Sequence, residues 1–129
     1  MTPLHEVIIN KKTNINPIWI MRQAGRYLPE FREIRKNNPN FIELCLNKKL
    51  VPEITLQPLK RFELDGAIIF SDILMVPYGM GQKVDFKKDF GPILGELDDK
   101  KLRTENKITF ENNLKPVYES MKFLSNQLI

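Results

Sequence analysis

Two arginines lie close together in a short segment that could bind an anion. Arg22 and Arg26 each carry a planar guanidinium group, which suits paired hydrogen bonds to a carboxylate or a phosphate. Small residues between them would let backbone N–H groups approach the same ligand. The residues between the two arginines are Gln23, Ala24 and Gly25. The segment is therefore a candidate anion-binding loop.

The two arginines also have a structural interpretation. Arginine pairs are common in solvated loops, where they form ion pairs with carboxylates of the same surface. The carboxylates available for such pairs are those of Glu30, Glu33 and Glu43. Spacing alone leaves both interpretations open, so the role of the arginines depends on where the fold places them.

Asp72 is the acidic residue that the predicted fold brings toward the arginines. Continuous apolar runs at 17–21 and 66–70 predict two buried parallel strands. Arg22 and Asp72 would then both follow the carboxyl end of a strand, which is the edge where α/β barrels and open α/β sheets bind ligands. The alternative is that Asp72 caps a turn or helix with Ser71, and position alone leaves the two roles open.

The remaining pattern predicts helices and a hairpin around the two strands. A helix is predicted within 27–36 after Pro29, and helical structure over 41–62, with Pro52 in a first turn and a kink or break at Pro58. A hairpin is predicted from 82–86 with 90–94, followed by an exposed loop over 96–107. The last predicted element is an amphipathic helix over 114–128, capped by Asn112 or Asn113. This order is that of the opening units of an α/β fold. The last helix would expect a following strand, which indicates an incomplete fold.

The composition is that of a soluble globular protein of one domain. The chain has 129 residues, of which 42% are hydrophobic and 28% charged, with a formal net charge of +4. The N-terminus lacks the pattern of a signal peptide, and no apolar run approaches the roughly 20 residues of a membrane span. We therefore expect a cytoplasmic protein without membrane contact.

The sequence argues against metal, dinucleotide and nucleic-acid sites. Cys45 and His5 are the sole cysteine and histidine, which excludes an internal disulfide framework and argues against a zinc site. Cys45 has apolar neighbours and is expected to be a buried packing residue. The glycines at 79 and 81 lack the rest of a dinucleotide loop, and two lysine pairs, 11–12 and 48–49, are a weak signal for nucleic acid.

Two blocks of the sequence resemble a known enzyme family. Residues 17–31, which read PIWIMRQAGRYLPEF, resemble the N-terminal signature of uroporphyrinogen decarboxylases. Residues 56–62 (LQPLKRF) and 67–74 (AIIFSDIL) resemble the family's second block, in the same order and at about the same spacing. The similarity extends over roughly residues 4–95. Residues 1–129 would accordingly be the N-terminal part of a single barrel domain.

The resemblance implies an enzyme of haem and tetrapyrrole biosynthesis. Uroporphyrinogen decarboxylases convert uroporphyrinogen III to coproporphyrinogen III by removing carbon dioxide from four acetate arms, without a cofactor or metal. Their fold is a (β/α)8 TIM barrel, and the barrels form homodimers whose active sites face each other. The implied ligand is therefore a tetrapyrrole polycarboxylate, which is consistent with a loop rich in arginine.

The resemblance also implies roles for individual residues. Arg22 and Arg26 would contact carboxylates of the substrate, and Gln23, Ala24 and Gly25 would line the same loop. Asp72 would accept hydrogen bonds from the pyrrole N–H groups and stabilise the transition state. Ile68 and Phe70 would make apolar contacts nearby. The proton donor is left open between Arg22 and a water molecule, because arginine is normally always protonated.

The length of the chain sets a limit on its activity. A complete barrel takes roughly 250 residues, whereas this sequence contains two or three barrel units, so we expect the chain alone to be inactive and marginally folded. One alternative is a related barrel methyltransferase with zinc ligands further along, but those relatives lack the signature of Arg22 and Arg26. Another alternative is a non-catalytic anion-binding module or a decayed fragment.

Overall fold

The computed structural model describes residues 2–21, 26–87, 90–96, 98–100 and 107–128. Helices and one small sheet are defined within these ranges, which agrees with the predicted mixture of helices and strands at this coarse level. The elements are α1 (Pro3–Ile8), α2 (Pro29–Asn37), α3 (Phe41–Cys45), α4 (Leu50–Arg61), α5 (Met75–Gly79), β1 (Val84–Lys87), β2 (Gly91–Leu94) and α6 (Lys107–Leu128).

Helix α2 begins where the sequence predicts it, at Pro29. Proline suits a first helical turn, because its missing N–H would have no partner there and its φ is already helical. Glu30 lies in the first turn and Arg35 and Lys36 in the last, so the charges complement the helix dipole at both ends. The N-terminal helix α1, which the pattern did not reveal, starts similarly with Pro3 after a capping threonine.

The helical stretch that was predicted over 41–62 is divided at Asn47 into α3 and α4. The side chain of Asn40 caps α3, accepting from Glu43 N at 3.2 Å and donating to Glu43 Oε1 at 2.8 Å. Asn47 Oδ1 then accepts from Lys49 N and Leu50 N, both at 3.0 Å, and starts α4. The break therefore falls between α3 and α4, and α4 continues past Pro58 to Arg61.

The predicted cap of the last helix is wrong. The chain is already helical at Lys107, and both Asn112 and Asn113 lie inside α6. The Asn113 side chain instead donates to Gly79 O at 3.1 Å, which fastens α6 to α5. The close approach leaves little space at Gly79, because a Cβ there would lie 2.8 Å from the Phe110 ring. Contact between helices thus explains Asn113, one of the two asparagines that looked like a capping signal.

The predicted hairpin is confirmed as the antiparallel pair of β1 and β2. Val84 lies opposite Leu94, and Lys87 lies opposite Gly91. Gly91 has a φ of 87°, a left-handed conformation that glycine adopts without steric strain. The predicted exposed loop over 96–107 lies largely outside the described residues.

Two clusters of buried side chains form the core, and Phe70 contacts both. The first consists of Leu28, Phe31, Leu44 and Ile54, and the second of Ile42, Cys45, Met75 and Leu114. The ring of Phe70 lies 5.6 Å from that of Phe31 and 5.9 Å from that of Phe41, measured between centroids. Cys45 is 1% exposed, which confirms its prediction as a packing residue.

The two predicted parallel strands are not formed within the described residues. Residues 17–21 (the Trp19 segment) and residues 66–70 (the Ile68 segment) belong to no helix or strand. Ile18 N donates to Asp65 Oδ2 at 2.8 Å, and Asp65 N donates to Ile18 O at 2.9 Å. The physical reason is that a parallel strand obtains its hydrogen bonds from neighbouring strands, and this one reciprocal contact does not replace a ladder.

Candidate functional site

The predicted anion-binding loop is described at its C-terminal end only. Arg22, Gln23, Ala24 and Gly25 lie outside the described residues. Arg26 is exposed, and its carbonyl oxygen accepts from Arg32 Nη1 at 3.0 Å. The same nitrogen donates to Tyr27 O at 2.9 Å. Arg32 on α2 therefore fixes the backbone where the loop joins that helix.

The structural interpretation of Arg26 finds no support among the described residues. Each of the three glutamates that could have paired with it has another partner. Glu30 accepts from Arg61 Nε at 2.9 Å and from Arg61 Nη2 at 2.8 Å, and Glu33 accepts from Asn37 at 3.2 Å. The third, Glu43, accepts from the capping asparagine of α3. Within the described part of the chain, no ion pair joins the Arg26 guanidinium to a carboxylate.

Asp72 lies at the turn between the Ile68 segment and α5. Its Oδ1 accepts from Leu74 N at 2.8 Å, and its carbonyl oxygen accepts from Met75 N at 3.1 Å. The alternative role as a cap is therefore confirmed for the turn but not for α5, whose N-cap residue Leu74 has no side-chain cap. The role as a ligand group stays a prediction and is compatible with this geometry, since a carboxylate has about four lone-pair positions and one N–H occupies one of them.

Burial keeps the thiol of Cys45 in its neutral form, so the thiol adds no second negative charge to that of Asp72. Burial raises the pKa of Cys45 to about 12, and the negative charge of Asp72 acts in the same direction, while Arg35 opposes it. The thiol is therefore neutral at physiological pH, which makes it a poor nucleophile. The charge near this end of the Ile68 segment accordingly comes from Asp72 and Arg35 rather than from a thiolate.

The two apolar residues of the predicted site differ in exposure. Ile68 is 60% exposed, so its side chain is available for a contact that the described residues do not supply. Phe70 is half-buried between the two core clusters, and its backbone N–H donates to Thr55 Oγ1 at 2.9 Å. Phe70 thus anchors the segment to the core, two residues before Asp72.

Thr55 is a positioning residue that the sequence pattern did not reveal. It is 2% exposed on α4, and its hydroxyl donates to Val51 O at 2.7 Å while accepting from Phe70 N. Both hydrogen-bonding functions of this buried hydroxyl are therefore used. A threonine inside a helix gives no signal of such a contact, because the partner is a backbone N–H fifteen residues away.

The structure fastens both parts of the predicted site to one core cluster. Leu28, two residues after Arg26, is a buried member of the first cluster, and Phe70 packs against it. No hydrogen bond or ion pair joins Arg26 to Asp72 within the described residues. A cleft of about 190 Å³ lies elsewhere, at the junction of α2 and α3, and is lined by none of the predicted site residues. We regard that small cleft as a consequence of the turn at 38–40.

The described part of the chain has neither a metal-binding group nor a membrane-spanning helix. No group of three or more histidine, cysteine, aspartate or glutamate side chains there could hold a metal ion. No helix in the same ranges is long and apolar enough to cross a membrane.

Comparison with known proteins identifies the family. Residues 1–129 match the family described as uroporphyrinogen decarboxylase (URO-D). The chain is 45% identical to the uroporphyrinogen decarboxylase of Chelativorans sp. (strain BNC1) over 87% of its length and 33% of that protein. It is 44% identical to that of Rickettsia felis over 93% of its length, and 42% identical to that of Rickettsia massiliae over 97%. These matches cover 35% and 37% of the two proteins.

The fraction of the sequence that is matched differs between this chain and its relatives. Nearly all of this chain is matched, but it spans only about a third of the length of these relatives. The match includes the arginine loop and the stretch that leads to Asp72, because it extends over the whole chain. The chain belongs to the uroporphyrinogen decarboxylase family.

Proposed function

We propose that this chain forms the N-terminal third of an enzyme that decarboxylates uroporphyrinogen III to coproporphyrinogen III. The match of all 129 residues to the family is the observation that carries this proposal. The full enzyme would be a (β/α)8 barrel, cytoplasmic and homodimeric, acting on a tetrapyrrole without a cofactor and without binding nucleic acid. The 129 residues alone would not turn over substrate.

The chemistry assigns Asp72 an electrostatic role. Removing carbon dioxide from an acetate arm needs an electron sink, and protonation of the attached pyrrole ring provides one by making the ring cationic. A carboxylate beside the ring stabilises this cation more than the neutral ground state, which lowers the barrier. The hydrogen bond from Leu74 N to Oδ1 holds the carboxylate group in place and leaves acceptor positions for pyrrole N–H groups.

The arginines would hold the carboxylates at the edge of the substrate. The lack of a carboxylate partner for Arg26 within the described residues supports a role in ligand binding. Arg22, Gln23, Ala24 and Gly25 would complete the loop, and Ile68 would contribute an apolar contact, as would Phe70. Arg22 is the anion clamp, and the proton donor remains either Arg22 or a water molecule.

A chimera tests this function in a protein of full length. The matched segment of the Rickettsia felis enzyme, which is 35% of that protein, would be replaced by this chain. We expect coproporphyrinogen formation by the chimera and a large loss of kcat in Asp72→Asn. Asparagine still accepts the hydrogen bond from Leu74 N, so this substitution removes the charge and keeps the turn.

Matched controls separate the site from the surface. Asp85 on the hairpin also accepts a neighbouring backbone N–H, from Phe86 at 2.8 Å, but it is exposed and is not one of the predicted site residues. Asp85→Asn should retain full turnover. Arg26→Ala should raise KM, whereas Arg61→Ala should leave KM unchanged. An active chimera in which Asp72→Asn retains kcat would refute the catalytic role of Asp72, and an inactive chimera would refute the proposed function.

The coverage of one third of the relatives favours a second candidate for the isolated chain, a non-catalytic anion-binding module. Titration of the 129-residue chain with a fluorescent porphyrin polycarboxylate tests this candidate. Binding that is lost in both Arg22→Ala and Asp72→Asn would support a retained substrate site. Absence of binding in every variant would support a decayed fragment.

A further inference from the structure

Arg32 contacts the end of the arginine loop through its backbone rather than its side chains. Arg32 Nη1 donates to Arg26 O at 3.0 Å and to Tyr27 O at 2.9 Å. Both acceptors lie before α2, whereas Arg32 lies within that helix. Side chains of a helix lean toward its N-terminus, which explains how Arg32 reaches residues six and five positions earlier. A charged donor thus fixes two consecutive peptide groups.

The electrostatics of α2 do not explain the position of Arg32. Its guanidinium lies beside the carbonyl groups that precede the helix, and a cation at a helix N-terminus is unfavourable because the helix dipole is positive there. Within the described residues, no ion pair includes Arg32, and Glu30, two residues earlier, pairs with Arg61 instead. A side chain that opposes a local rule in this way indicates a role beyond the stability of its helix.

The two hydrogen bonds extend a rigid anchor from the core toward Arg26. Leu28 is 1% exposed and belongs to the first core cluster, so the backbone is fixed at that residue. Tyr27 and Arg26 are exposed and belong to no helix or strand. Their carbonyl contacts with Arg32 therefore connect the backbone of Arg26 to α2, while the side chain of Arg26 stays exposed.

We propose that Arg32 is a positioning residue for substrate binding, which acts by holding the backbone of Arg26. This inference rests on the proposed function, in which Arg26 contacts a carboxylate of the substrate. A guanidinium group binds a carboxylate through two parallel hydrogen bonds only within a narrow range of orientations. A backbone that is held in advance removes part of the entropy cost of binding. Arg32 thus raises the affinity for the substrate through Arg26.

NMR relaxation of the 129-residue chain tests the positioning without any substrate. The backbone order parameter is about 0.85 for a rigid amide and below about 0.6 for a flexible one. In Arg32→Ala, the order parameters of the Arg26 and Tyr27 amides should fall from the rigid to the flexible range. Lys36→Ala is the matched control, because Lys36 is an exposed cation of the same helix whose side chain has no hydrogen bond or ion pair among the described residues. Its order parameters should equal those of the unchanged chain.

Steady-state kinetics of the chimera test the effect on binding. Arg32→Ala should raise KM roughly tenfold and leave kcat unchanged, because the released backbone must be ordered again on binding. The double variant of Arg26→Ala with Arg32→Ala should have the KM of Arg26→Ala alone, since no guanidinium is then left to position. Arg32→Lys, which can still donate to carbonyl oxygens, should recover part of the loss. Lys36→Ala should leave KM unchanged.

Three outcomes would overturn the inference. The first is an equal order parameter of the Arg26 amide in the unchanged chain and in Arg32→Ala. The second is a KM of Arg32→Ala that equals that of the unchanged chimera. The third is a double variant in which the effects of Arg26→Ala and Arg32→Ala on KM multiply in full, because the two arginines would then bind the substrate independently. An inactive chimera would refute the proposed function instead, and the order parameters would then decide whether Arg32 holds Arg26.

Discussion

The helical region and the two segments that were predicted as strands differ in the hydrogen bonds of their peptide groups. In α4, hydrogen bonds run within the helix, and its residues Val51 and Ile54 are fully buried. In the Trp19 and Ile68 segments, most peptide groups have no partner within the described residues, and Ile20 and Ile68 are exposed. Both regions are rich in apolar residues. The difference shows that apolar sequence produces a packed element only when partners for the backbone are present.

Helices and parallel strands differ in how far along the sequence their hydrogen-bond partners lie. A helix forms its hydrogen bonds from residues of its own stretch, whereas a parallel strand depends on strands that are distant in sequence. The first core cluster contains Leu28, Phe31, Leu44 and Ile54, which all belong to or adjoin helices. The helices can therefore pack, whereas most peptide groups of the Trp19 and Ile68 segments lack hydrogen-bond partners among the described residues.

The largest expected contrast is in thiol reactivity. Raising the pKa of Cys45 from 9.0 to about 12 lowers its thiolate fraction roughly a thousandfold at mildly alkaline pH. We expect Cys45 in the native chain to react with iodoacetamide only through unfolding. The variant Cys45→Ala with Ile68→Cys should react like a free thiol. Mass spectrometry of the labelled chains measures both rates, and equal rates would remove the distinction between the regions.

The next contrast is in stability. Ile54 is 0% exposed, so Ile54→Ala should lower the free energy of unfolding by about 2–5 kcal/mol, from lost burial and the cavity left behind. Ile68→Ala removes the same atoms from an exposed position and should change it by less than about 0.5 kcal/mol. Urea denaturation followed by circular dichroism compares them. A similar cost for both would show that the Ile68 segment is packed in the isolated chain.

A smaller effect is expected at the junction between the two regions. Thr55→Val should cost about 1–3 kcal/mol, because it removes the acceptor for Phe70 N and leaves that donor unsatisfied. Thr55→Ser keeps the hydroxyl and serves as the matched control. Hydrogen exchange of the Phe70 amide should accelerate in Thr55→Val alone. Unchanged protection in the valine variant would mean that this hydrogen bond does not fasten the segment to α4.

The smallest effect is expected for the surface ion pair of α2 and α4. The hydrogen bonds from Arg61 lower the pKa of Glu30 below its ordinary 4.5. A lowered carboxyl pKa contributes stability that is fully present above pH 4.5 and is lost as the pH falls through the lowered value. Glu30→Gln should therefore lower the urea midpoint slightly at neutral pH and not at the acidic end. Added salt should reduce the difference.

The control for this pair is the double variant. Glu30→Gln combined with Arg61→Gln should be no less stable than either single variant, because both partners of the pair are then removed. A loss from Glu30→Gln that persists unchanged in strong acid would contradict an ionic origin. Such a result would assign the effect to packing of the side chains.

Local signals made part of the fold predictable. Pro29 marks the start of α2, and the alternating run near Val84 marks a strand that pairs with its neighbour in sequence. The apolar neighbours of Cys45 indicated its burial. Each of these features depends on residues within a short stretch of chain. The two parallel strands do not, and their prediction was wrong for the described residues.

The sequence nominated the charged groups of the candidate site, whose role stays a prediction, but it did not reveal the contacts that support them. The family signature singled out Arg26 and Asp72 from their neighbours in sequence. Arg32 and Thr55 were missed, because each contacts backbone atoms, which no pattern of side chains reveals. Asn113 gave a false signal, because an asparagine near the start of a helical pattern resembles a cap. Its side chain instead donates to Gly79 O of α5.

Amide hydrogen exchange of the isolated chain tests the central claim most directly. We predict that amides within α4 and in the middle of α6 exchange slowly, because they are hydrogen-bonded in packed helices. Amides of residues 19–21 and 67–69 should exchange at nearly the rate of an unstructured peptide. Protection of these two stretches equal to that of α4, in a chain shown to be monomeric, would contradict the claim that their peptide groups lack hydrogen-bond partners.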